Sequence, residues 1–176
     1  MGLLSKILGR NRNDVKDAAR IYARVMRQSR QPEFFGEGRF ADNYDGRIDL
    51  LSFNLCFIMK RLRAFGENGQ ILSQAIFDLM RDDFEIALRE QGLSDKGVAV
   101  RIKPMIRLFY DRLKAYDEAI DDNAISDALA KSLELESTTS FTGHIAEYGI
   151  AFHRHLNQLS LGDIATANFK FSPLEN

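Results

Sequence analysis

Histidine occurs three times, cysteine once, and nowhere is there a run of about twenty apolar residues of the kind a membrane-spanning helix needs. Each scarcity removes a class of function. With one thiol, Cys56 cannot close an internal disulfide or build a zinc knuckle, and a reducing compartment is the expected setting. Its place in the apolar run DLLSFNLCFIM marks it as a small core residue and not as a nucleophile. A dominant charge sign is missing too: the formal net charge is -1 and the pI about 6.3, so the surface as a whole is not built to grip nucleic acid, and DNA is not an expected partner. There is no Gly-rich phosphate loop, nucleophile elbow or Cys–His pair, so no catalytic residue and no cofactor is assigned. The opening MGLLSKILGRNR is expected to be no secretory signal, because its apolar part is short and lacks a small-residue cleavage pattern. Lys6 stands where myristoylation needs Ser or Thr. Strand sets, internal repeats and low-complexity segments are absent as well.

What is present is helical periodicity. At 176 residues, 45% hydrophobic and 28% charged, the chain has the material for one domain with a substantial core. Its centre is the stretch from Gln70 to Tyr116, which reads as two helices joined by GLSDKG. In the first, Leu72, Ala75, Ile76, Leu79, Met80, Phe84, Ala87 and Leu88 recur at spacings of three and four, opposite Gln74, Asp78, Arg81, Asp82, Glu85 and Arg89. In the second, Val100, Met105, Ile106, Leu108, Phe109, Leu113 and Tyr116 form the apolar side, with Arg101, Lys103, Arg107, Arg112 and Lys114 outside. Pro104 interrupts that pattern and predicts a bend or a boundary.

The remaining chain fits around this hairpin. Asn13 is placed to cap a helix in which Val15, Ala18, Ala19, Tyr22, Ala23, Val25 and Met26 turn inward, ending at Pro32. A loop carrying Phe34, Phe35, Phe40 and Tyr44 is expected to pack over the core. Asp45 is a candidate cap for a helix that is apolar nearly all round from Ile48 to Met59, as a central helix is. Gly66 and Gly69 are read as a break, followed by the hairpin, an acidic helix in AISDALAKSLEL, a last helix in FTGHIAEYGIAFHRHLNQLSL, and a short extended tail through NFKFS. The prediction is an all-α, single-domain bundle of about six to seven helices with the hairpin at its centre. Residues 1–12 form a candidate amphipathic N-terminal segment, 13–168 the helical domain and 169–176 the tail.

Three features invite sharper readings. Asp78, Asp82 and Glu85 share a helical face, as carboxylates holding a hard cation would, but Arg81 and Arg89 interrupt them and His144, His153 and His155 are far away in sequence. A salt-bridged face is the expectation, with no metal, and a carboxylate-rich helical enzyme is the weaker rival. His153 and His155 are two apart and point to different sides of a helix. Residues 1–30 carry eight Lys or Arg against two Asp, and residues 101–114 are basic again, so both stretches are candidates to meet phosphate of lipid or RNA.

The order and spacing of four segments resemble the ubiquinol-cytochrome c chaperone family, assembly factors for the respiratory cytochrome bc complex. They are Arg47-x-Asp49-Leu50 opening an apolar helix that ends Lys60-Arg61-Leu62, FDLMRDDFEIALREQGLSD at 77–95, Val100-x-Ile102-Lys103-x-Met105, and FYDRLKAYDEAI at 109–120 ahead of the acidic helix. The chain departs from the family at Asn54, where members often have His. The resemblance implies a non-enzymatic, all-helical chaperone that receives newly made cytochrome b, or another subunit of the complex, and holds it for haem insertion and assembly. It further implies a second assembly factor as a candidate partner and contact with the ribosome or an anionic membrane; because no transit peptide is read at the start, a bacterial, cytoplasmic setting at the inner membrane face is the expectation. A client with long apolar helices requires accessible apolar surface on its partner. The candidate client-binding seam is Leu51, Phe53, Phe57, Phe77, Phe84, Phe109 and Tyr116, with Arg47, Asp49, Asp82, Arg112 and Asp117 fixing helix packing or rimming the groove. A general helical adaptor for some other protein and a lipid-surface protein acting through residues 1–30 are the alternatives.

Overall fold

The run that is apolar on every side becomes the axis of the molecule. In a computed structural model of the chain, which describes residues 12–121, 123–135 and 137–174, every residue from Ile48 to Met59 is buried. That run lies in helix α2 (Tyr44–Arg63), preceded by α1 (Arg12–Gln28) and a single 3-10 turn (Pro32–Phe34). After it come α3 (Gly66–Glu90), α4 (Asp95–Asp121), α5 (Ile125–Ser132), α6 (Ser140–Asn157) and the short α7 (Leu161–Ala165). Among the described residues there are seven α-helices and no strand, so the all-α bundle with α3 and α4 as its hairpin is the architecture found. Helices α3, α4 and α6 surround α2, α1 lies mainly against α3, and α5 bridges α4 and α6. The candidate N-terminal segment, apart from Arg12, lies outside the described residues.

Several local expectations shift by a residue or a face. Asn43, not Asp45, caps α2, its side chain accepting from the Gly46 N–H at 2.9 Å. Helix α1 already includes Asn13, and its buried stripe is Ala18, Ile21 and Val25, leaving Val15, Ala19 and Ala23 on the exposed side. Alanine is tolerated on either side of a helix, so periodicity alone misplaced this stripe by about a quarter turn. Gly66, with φ +66°, does mark the turn into α3, whereas Gly69 lies inside that helix, where a Cβ would collide with the Leu62 carbonyl. Its role is close approach, not interruption.

Pro104 makes no boundary either. Helix α4 runs through it, and both Pro104 and Val100, whose carbonyl loses its helical donor, sit on the exposed side, where an unpaired carbonyl is open to solvent and costs least. Val100, expected inside, is 68% exposed. The helix stops as expected near Asn123, which takes the left-handed φ of +55° common at helix C-termini.

Helix α6 approaches α2 closely because Gly149 faces it; a Cβ there would lie 2.6 Å from Phe57 Cζ and 2.7 Å from Phe53 Cζ. The tail has no strand partner but packs its aromatic rings: Phe169 is buried, Phe171 stacks 4.5 Å from Phe152, and the Arg24 guanidinium lies over Phe169. Residues 169–171 thereby strap α1 to α6.

Candidate functional site

Most of the aromatic seam read from the sequence forms the interior. Leu51, Phe53 and Phe57 of α2, Phe84 of α3, and Phe109 and Tyr116 of α4 are all at most 5% exposed. Phe53 is the hub, with its ring edge-on to Phe57 at 5.0 Å and to Tyr116 at 5.1 Å, and Phe57 carries the contact on to Phe152. Burying each such side chain is worth about 1.5–3 kcal/mol, and edge-to-face pairing adds to that. The Tyr116 hydroxyl is satisfied by donating to Ser132 Oγ at 2.8 Å, and burial pushes its pKa up. An open cleft along the whole seam is therefore not what the fold contains: six of the seven residues are sealed by their neighbours, and Phe77 alone reaches the surface.

At Phe77 the packing gives way to a groove of about 250 Å3 between α2, α3 and α4. Met59, Phe109 and Leu113 form its floor, Phe77 and Tyr110 its wall, and Arg63, Gln70, Ser73 and Gln74 its rim. The Phe77 and Tyr110 rings lie 5.2 Å apart at 35°, and Tyr110 is 49% exposed. Tyr110 is not among the seam residues that periodicity selects, and its one signal in the sequence is its place at i+1 from Phe109, one position off the apolar stripe. Burial of the ring and the nearby Asp78 charge raise its hydroxyl pKa, which keeps it a neutral hydrogen-bond donor.

The polar residues of the family-like segments divide into two groups. Arg112 ties three helices together: its Nε donates to Asp49 Oδ1 of α2 at 2.7 Å, and its Nη2 donates to the Ser132 carbonyl of α5 at 2.9 Å. Burial raises the pKa of Asp49, and the hydrogen bond and charge of Arg112 pull it back down. Asp117 accepts from Lys60 at 3.1 Å and from Arg63 at 2.6 Å, clamping the C-terminal end of α2 onto α4 and fixing the arginine that rims the groove. Arg47, by contrast, pairs with Asp42 at the surface, and Asp82 with its neighbour Arg81. Asp49, Arg112 and Asp117 thus hold the packing, while none of the five lines the groove itself.

The carboxylates weighed for a cation site are engaged in protein contacts. Gln74 donates to Asp78, Arg81 pairs with Asp82, and Arg89 pairs with Glu85, a ladder of solvated contacts along α3. Among the described residues no cluster of three His, Cys, Asp or Glu has a metal-binding arrangement.

Asn54 lies at the core. Its Nδ2 donates to Ser29 Oγ at 3.0 Å and its Oδ1 accepts from the Tyr148 hydroxyl at 2.8 Å, joining the end of α1 to α2 and α6. Every member of this buried trio has a partner, as a polar group in a low-dielectric interior requires. A second cavity of about 150 Å3, between α1, α2 and α3, is lined by Met26, Tyr44, Leu51 and Phe84 with Arg30 and Asp83 among its polar groups. Tyr22 donates to Asp83 at 2.9 Å beside it.

The sequence model for the Ubiquinol-cytochrome C chaperone family matches residues 37–171 of the chain. The crystal structure of the Cbp3 homolog from Brucella abortus is similar to this fold, with a TM-score of 0.78, 26% sequence identity and coverage of 98% of both chains. No curated protein sequence matches the chain.

Proposed function

The chain belongs to the ubiquinol-cytochrome c chaperone family, and on that premise we propose that it receives newly made cytochrome b, or another subunit of the cytochrome bc complex, through the groove beside Phe77 and Tyr110. Membership makes it a non-enzymatic assembly factor. The observation that carries the reading is the partly buried Phe77 ring set beside the half-exposed Tyr110, with apolar residues below the pair and amides above it. A groove of this size takes one or two large side chains. It serves as an anchoring point for a client helix that presents apolar residues on one face, and not as a sheath around a whole segment. The client is held by burial of those anchors, and Gln70, Ser73 and Gln74 are placed to meet its polar backbone ends. Chaperoning of this kind needs no bond chemistry, only an apolar contact that a later assembly step can outcompete.

The proposed place of work is the cytoplasmic face of the inner membrane, where a cytochrome b precursor emerges. No helix among the described residues is long and apolar enough to cross a membrane.

The test is capture of purified cytochrome b fragments by the full-length protein and by Phe77→Ala and Tyr110→Ala. Each variant is expected to bind about tenfold more weakly while keeping its helical signal, the usual scale for loss of an aromatic anchor. Undiminished capture by both folded variants removes the groove from the reading. Unchanged levels of the cytochrome bc complex in cells lacking the gene would instead point to a general adaptor. Retention of a second assembly factor by wild type and not by the variants, with cytochrome b capture intact, would reassign the groove to that partner.

A further inference from the structure

The outer side of α4 carries six exposed residues at spacings of four, three, four, three and four: Lys96, Val100, Lys103, Arg107, Tyr110 and Lys114. Such spacing sets them in one line along the helix. Two of the four large hydrophobic residues most exposed among the described residues, Val100 and Tyr110, fall in this line. Four cations flank them, one at each end and two in between. No acidic residue occurs between Asp95 and Asp111, and among the described residues Lys96, Lys103 and Arg107 have no carboxylate within ion-pair distance, whereas Lys114 lies 3.9 Å from Glu118. The neighbouring outer face of α3 differs, since Arg81 and Arg89 there are matched by Asp82 and Glu85. The exposed side of α1 is basic as well, but its apolar content is largely alanine, and Arg20 is held by Asp17.

We propose that this stripe of α4 lies on an anionic lipid surface. Uncompensated cations along a helix meet lipid phosphates and anionic headgroups, and interleaved apolar side chains gain by entering the boundary between headgroups and chains. A soluble polyanion would satisfy the cations but offers Val100 nothing, and its 68% exposure is the feature that favours lipid. Tyr110 joins the stripe to the groove, because the same ring forms the groove wall. A client segment released from beside Phe77 would therefore leave at the face that touches the bilayer. The inference rests on the membrane-side location proposed above and supplies the surface responsible for it.

The experiment is co-sedimentation of full-length protein with vesicles of phosphatidylcholine alone or mixed with phosphatidylglycerol. Wild type is expected to bind the mixed vesicles and not the neutral ones, and to release them as salt rises. Lys96→Gln/Lys103→Gln/Arg107→Gln should lose about a hundredfold in affinity, at roughly fivefold per cation. Val100→Gln should weaken vesicle binding while leaving retention on a single-stranded oligonucleotide unchanged. The charge-matched control is Lys16→Gln/Arg20→Gln/Arg27→Gln on α1. Equal loss in both triple variants would reduce the effect to overall charge and overturn the proposal. So would undiminished binding by the α4 triple variant, absence of wild-type binding, or stripe-dependent binding of oligonucleotide without vesicles. Cell fractionation separates this from the location itself: if wild type and α4 variant both travel with membranes, the stripe is wrong and the location stands.

Discussion

Phe109 and Tyr110 are adjacent on α4 and share the ring of Phe77 as a neighbour, yet one is fully buried and the other half exposed. Between them runs the border of two regions. On one side, Phe53, Phe57, Phe84, Phe109 and Tyr116 close around α2 as a sealed core; on the other, Phe77 and Tyr110 form an open edge. The same chemistry serves both, because an aromatic ring loses hydration on burial whether the covering atoms belong to its own chain or to another. What separates the regions is only whether this chain supplies the cover. A helix turns 100° per residue, so neighbouring positions cannot both point into one core unless a second element wraps over the flank. At Phe109 α2 does this; at Tyr110 nothing among the described residues does.

The largest effect should come from opening the sealed side. Phe109→Ala removes a fully buried ring from a site held by three helices, and is expected to destabilise the fold by about 3–5 kcal/mol in urea unfolding. A loss below about 1 kcal/mol would mean that the seam around Phe109 is already loose, and the contrast with Tyr110 would collapse.

A smaller effect is expected at the polar latch that backs the core. Arg112→Ala leaves the 8% exposed Asp49 without its partner and the Ser132 carbonyl without its donor. Breaking a fully buried pair costs about 3–5 kcal/mol, and partial solvent access to Arg112 brings the expected loss nearer 2 kcal/mol. The sign with pH follows from burial, which already raises the pKa of Asp49 and does so unopposed once Arg112 is gone. A raised carboxylate pKa favours the folded state below the unfolded value and loses that contribution as pH rises through the folded value. The deficit of Arg112→Ala against wild type should therefore shrink as pH falls into the carboxylate range. A deficit that stays constant or widens on acidification would show that the latch acts by packing and not by charge.

Much of this contrast was legible beforehand. The long apolar run from Ile48 to Met59 announces a central helix, and the three- and four-residue spacing of α3 and α4 places the hairpin with its turn in GLSDKG, of which Asp95 to Gly97 already belong to α4. Asp49, Arg112 and Asp117 stood out by their place in family-like segments, and the fold pairs the first two and clamps the third. What could not be read was which flank of an apolar face is covered. The candidate seam is an apolar face that has to serve as core as well, and six of its seven residues are sealed, while Tyr110 and Val100 are open for reasons that depend on where α2 and α3 end up. Gly69 and Gly149 were equally opaque, since a close approach needs both partners in place before a missing Cβ acquires meaning.

The smallest predicted effect on stability is also the most discriminating. Tyr110→Ala takes away a ring that is half in water and packed chiefly against Phe77, and among the described residues its hydroxyl has no protein acceptor to lose. Only the buried half of the ring contributes to folding, so the expected cost is below about 1 kcal/mol, against several times that for the residue beside it. Measured on the same preparation, client capture should fall about tenfold while the urea midpoint barely moves. If Tyr110→Ala costs as much stability as Phe109→Ala, the ring belongs to the core and the groove is a shallow surface dimple. If it costs little and capture is also unchanged, the edge is open but unused. The proposed reading predicts the one remaining combination, low cost to the fold and high cost to binding, which a residue working only in packing cannot produce.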